Sequence, residues 1–86
     1  MENNSLVGQA SAIDSYEDLV LFLKAFERNL SEHPDQWEND TLPRFLESFA
    51  AWAEDWGNCL ASQGQPTPQP SWRFFAEMLL AAKAYE

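Results

Sequence analysis

The chain has 86 residues, with 14 acids against five lysines and arginines, a net charge of −9 and a pI near 4.3. That length predicts one domain, and that charge excludes nucleic acid or an anionic membrane as the main partner. The 45% hydrophobic content excludes a disordered chain, and one cysteine excludes an intrachain disulfide or a multi-cysteine zinc site.

Residues 1–12 are small and polar, with Gly8 and no apolar period, so they read as a flexible, disordered leader to a single helical domain over 13–86. They lack the basic and apolar parts of a signal peptide, and no apolar run approaches the ~18 residues of a membrane span. A cytoplasmic setting is expected.

Ser15 or Asp14 before Glu17 and Asp18 is a helix-start signature. Leu19, Phe22, Leu23, Phe26 and Leu30 then recur at steps of three and four, predicting an amphipathic helix over Tyr16–Ser31. Lys24 and Arg28 fall on its other side, with Arg28 placed to pair with Glu32. Pro34 ends this helix, and an acidic turn follows from Asp35 to Asp40.

Asn39, Asp40 and Thr41 are all competent caps for a second helix, over Thr41–Ser62, with Pro43 in its first turn. Phe45, Phe49, Trp52, Trp56 and Cys59 form its apolar stripe, and Asp40, Glu47 and Glu54 an outer acidic one. Gly57 inside the helix marks either a close approach or a weak point. The Pro66, Pro68, Pro70 run is an extended linker. Ser71 caps a third helix over Trp72–Tyr85, apolar on two faces, with Arg73 and Glu77 spaced to pair. The helix lies between the other two or covers a surface in an oligomer. The expected fold is all-α, a compact three-helix bundle with the Pro-rich linker before the last helix.

The chemistry is sparse. Glu32, His33 and Asp35 lack metal-ligand spacing, and the Asp35–Asp40 stretch lacks the central Gly and closing Glu of a calcium loop. Cys59, on the apolar stripe, reads as a small buried hydrophobe and not as a nucleophile with His33. Paired carboxylates, Glu54 with Asp55 or Glu47, read as solvating groups. The Asn-x-Ser/Thr triplets at Asn3, Asn29 and Asn39 read as chance. No catalytic, cofactor or metal residue is assigned, and a non-enzymatic role is expected.

Charge is segregated: residues 31–55 hold seven acids and only Arg44. Trp37 lies within this region and has two readings. The favoured one is a lid over the bundle, its indole N–H on a backbone acceptor. The other is an aromatic anchor ringed by acids for a basic protein partner. The candidate partner-binding residues are Asp35, Trp37, Glu38, Asp40 and Glu47. A protein–protein interaction module is expected, with an immunity- or antitoxin-like inhibitor of a cationic site as one concrete form. Self-association through the second apolar face of the last helix is the alternative, and a small-ligand protein or enzyme ranks third.

Trp37-Glu38-Asn39, Thr41-Leu42, Phe45-Leu46, Ala51-Trp52, Ser71-Trp72 with Phe75-Ala76, Ala81-Ala82 and Tyr85-Glu86 form a set of aromatic motifs. In these the chain resembles a family of small acidic bacterial proteins, a domain of unknown function, over about residues 13–86. The resemblance implies a bacterial cytoplasmic protein and transfers no catalytic residue.

Overall fold

The computed structural model describes residues 5–85. Four α-helices run in the order α1 (Leu6–Ser11), α2 (Tyr16–Glu32), α3 (Leu42–Ser62) and α4 (Trp72–Ala84), with a 3-10 turn at Pro34–Gln36 between α2 and α3. Among the described residues there is no strand, and no helix is long and apolar enough to cross a membrane.

The three predicted helices start at predicted caps. The side-chain oxygens of Ser15, Thr41 and Ser71 accept from the backbone N–H groups of Asp18, Arg44 and Phe74. Each bond satisfies a donor that helix geometry leaves orphaned. At the first of these caps Asp14 N–H also donates to the Asp18 carboxylate, 3.2 Å away, and this bond holds Asp18 below the usual aspartate pKa. α3 ends in a Schellman motif. Gly64 takes the left-handed conformation at φ 73°, and Gln65 and Gly64 N–H donate to the carbonyls of Leu60 and Ala61.

The leader is a correction. Residues 1–4 lie outside the described residues, but Leu6–Ser11 form a helix capped by Ser5, whose hydroxyl accepts from Gly8 N–H. A six-residue helix is unstable alone; burial against its neighbours stabilises this one. Leu6, Ala10 and Ile13, at steps of four and three, point one face inward, and Ala10 and Ile13 are among the most buried residues. The bundle therefore has four helices, not three. Arg73 reinforces the dock by donating from Nε to the Ile13 carbonyl at 2.9 Å; its expected ion pair with Glu77 does not form.

α4 is the central element, packing on α1, α2 and α3, whereas α2 and α3 do not meet backbone to backbone. This explains its two apolar faces. Ala76 closes the core with Leu19, Phe22 and Phe26 of α2. The second face, proposed for self-association, is taken up by α3. Phe74 packs on Trp52 with ring centroids 6.1 Å apart, Ser48 donates to the Tyr85 carbonyl, and the Tyr85 hydroxyl donates to Asp55. The last bond raises the Tyr85 pKa.

α3 differs from the other long helices in having no fully buried residue. Leu42, Leu46 and Trp56 are exposed, and so is Cys59, contrary to its expected burial. The apolar stripe of α3 is wider than the strip that α4 covers. Nothing lies within 4 Å of a side chain added at Gly57, so that glycine admits no close neighbour.

Candidate functional site

The acidic turn is built on an extended segment whose side chains alternate across the chain. Trp37 and Asn39 are buried, while Glu38 and Asp40 are exposed. Extended backbone has a period of two, so one stretch both closes the bundle and displays carboxylates.

Trp37 is 8% exposed, its ring tilted against Phe26 and Phe45 at centroid distances of 4.7 and 6.1 Å. Its indole N–H donates to the Asn29 side-chain oxygen at 2.7 Å. It is a lid, as the favoured reading had it, but the acceptor is a side chain and not the backbone. An exposed aromatic anchor it is not, because packing beneath Asn29 and Phe26 withdraws it from the surface.

Asn39 joins the turn to the end of α4. Its side-chain amide donates to the carbonyls of Ala82 and Tyr85 at 2.9 and 2.7 Å, and its backbone N–H to the Lys83 carbonyl at 3.1 Å. These are carbonyls that a helix C-terminus leaves unpaired. Asn39, read from sequence only as a cap candidate and a chance triplet, is the tether that fixes the turn. Its signal was a polar residue two positions from a buried tryptophan, legible only once an extended segment is assumed.

Exposed acids precede and follow this tether along the chain. Asp35 lies exposed on the 3-10 turn and Glu47 on α3. Arg44 donates to the Glu38 carbonyl at 2.6 Å and pairs with Asp40 at 3.5 Å, both side chains largely solvated. Exposed pairs of this kind add little stability. The arginine's effect is on shape, since it bridges the turn across two exposed positions.

Because α2 and α3 approach only through side chains, Phe26 against Phe45, an open groove of about 340 Å³ runs between their backbones. Phe26, Leu30, Phe45 and Trp37 line it, with Leu23 and Leu42 at its edges and Glu27 and Asp40 adding carboxylates. Leu42 is 69% exposed. Of the five predicted residues the groove brings together Trp37 and Asp40; Asp35, Glu38 and Glu47 lie outside its lining. Glu27, Leu23 and Leu42 were missed, although Leu23 and Glu27 lie on the α2 side that the apolar period marks.

His33 follows α2 and Cys59 lies near the end of α3, where Gln63 donates to its sulfur at 3.6 Å. No group of three or more His, Cys, Asp or Glu side chains among the described residues is placed to hold a metal ion. The triplet asparagines Asn29 and Asn39 are engaged as above, and Asn3 lies outside the described residues.

No curated protein and no solved structure matches the chain. A family model matches residues 15–86, starting at the cap of α2 and leaving α1 outside. That span contains every aromatic motif noted in the sequence, and the chain belongs to the Family of unknown function (DUF7660).

Proposed function

We propose that this protein is a non-enzymatic interaction module that docks a basic segment of a protein partner in the groove between α2 and α3. The observation that carries this reading is an apolar groove edged by Glu27 and Asp40, beside a turn rich in solvated acids. Apolar walls supply affinity by excluding water, and the surrounding carboxylates accelerate and select encounters with cations. A helix laying apolar residues into a groove is a recurring recognition mode. An inhibitor covering a cationic site, of the immunity or antitoxin kind, is one form of this function.

The test uses a synthetic amphipathic helix with leucines at i, i+4 and i+7 and lysines elsewhere, followed by fluorescence anisotropy. Saturable binding that weakens with salt is expected, as is a loss of about tenfold or more in a Glu27→Lys/Asp40→Lys variant. Binding unchanged by that variant, or absent in the wild type, would overturn the reading.

A further inference from the structure

Three of the chain's five lysines and arginines, Lys24, Arg28 and Lys83, line one hollow of about 760 Å³ between α1, α2 and α4. His33, the only histidine, also lines it. Among the acids of the described residues, Glu32 alone does so. In a molecule of net charge −9 the local sign is inverted. We infer that this hollow binds a small anion carrying two or more carboxylate or phosphoryl groups.

The cations come from two elements. Lys24 and Arg28 are four residues apart and share a face of α2, whereas Lys83 comes from the last turn of α4. The expected Arg28–Glu32 pair does not form; the one ion pair among the described residues is Arg44–Asp40, on the acidic turn. No hydrogen bond within the described residues engages the side chain of Lys24 or Arg28. Lys83 stands with its ammonium 5.5 Å from the centre of the Trp37 ring. That ring attracts the charge only in part, and burial holds the Lys83 pKa below the usual lysine value. A bound anion would replace the hydration that Lys83 has lost.

Lys83 also suits the negative end of the α4 dipole, but Lys24, midway along α2, has no such role. Gln9 and Gln36 add neutral amide donors to the lining. The volume lies within the ~300–1,000 Å³ common for small-molecule sites. Size and field both exclude a long polyanion. The acidic remainder of the surface repels it, while a small anion inside the hollow is governed by charges within the Debye length of about 8 Å.

The experiment titrates the full chain with pyrophosphate and, separately, citrate at constant ionic strength. Calorimetry measures affinity, and amide shifts in a ¹⁵N spectrum locate the site. Saturable one-site binding of at least one probe is expected, with shifts centred on Gln9, Arg28, Asn29, His33 and Lys83. Tighter pyrophosphate binding identifies a phosphoryl ligand and tighter citrate binding a carboxylate one. Lys24→Gln/Arg28→Gln changes only exposed positions and is expected to weaken binding about tenfold or more. Lys83→Gln tests the opposite wall independently and is expected to weaken it as well. Arg44→Gln removes the same charge at the acidic turn and should leave affinity unchanged. Failure of both probes to saturate, or an equal loss in Arg44→Gln, would overturn the inference.

Discussion

The groove between α2 and α3 and the hollow between α1, α2 and α4 share a helix and are linked through one indole, yet their charges have opposite sign. The groove is apolar, with carboxylates in its lining; the hollow mixes apolar residues such as Leu6, Leu21 and Leu80 with the cations Lys24, Arg28 and Lys83. Helical phase separates them. At about 100° per residue, Leu23, Phe26, Glu27 and Leu30 share one side of α2, while Lys24, Arg28 and Glu32 occupy the other. Trp37 lines the groove and touches two residues of the hollow's lining, with Lys83 over its ring and Asn29 accepting from its N–H. The comparison teaches that a strongly acidic chain can keep a basic site if one helix sorts its charges by face.

Removing the linking indole is the most severe way to break this arrangement. Trp37→Ala is expected to destabilise the fold by about 3–5 kcal/mol, read by urea denaturation, because it empties a core position and frees Asn29. Both regions should lose ligand binding together. Asn39→Ala is next, at about 2–3 kcal/mol, since it leaves the α4 carbonyls of Ala82 and Tyr85 without their amide donor. It should loosen the turn and groove before it disturbs α1.

The two regions can also be separated. Ala10 is almost fully buried, so Ala10→Asp would place a charge against the core and undock α1, at about 2 kcal/mol. Anion binding in the hollow should fall, because Ser5, Leu6 and Gln9 form part of its lining. Binding of the basic helix to the groove should persist, since α1 contributes nothing there. Parallel loss of both would show that they form one unit. Gly57→Ala lies remote from both and is expected to stabilise α3 by about 0.5–1 kcal/mol in thermal melts, as the added methyl meets nothing.

The smallest effect concerns the entry to α2. The bond from Asp14 N–H is the main cause of the lowered Asp18 pKa, so its folded value lies below the unfolded one. The sign follows from linkage: the contribution is present above the ordinary value of 3.8 and fades as pH falls through the lower, folded value. Asp18→Asn should flatten that acid-side part of the stability profile.

Much of the helical layout was legible in the chain. Ser15, Thr41 and Ser71 mark helix starts through local hydrogen bonds, and period and prolines mark where helices run and stop. The basic side of α2 was legible too, but not its lack of partners, because an i, i+4 spacing permits the Arg28–Glu32 pair without enforcing it. The leader escaped notice because Leu6, Ala10 and Ile13 give too short a period to stand out. Their helix exists only through what they are buried against. Cys59 misled for the converse reason: its position on an apolar stripe was read correctly, but α4 covers only part of that stripe.

The sequence by itself determined where helices form and which side of each is apolar or charged, since both follow from interactions within a few residues. Tertiary structure alone decided which apolar surfaces find cover. It buried Trp37 beneath Phe26, tied Asn39 to the end of α4, left the groove open between α2 and α3, and gathered Lys24, Arg28 and Lys83. Those outcomes depend on contacts between residues far apart in the chain, which local spacing does not encode.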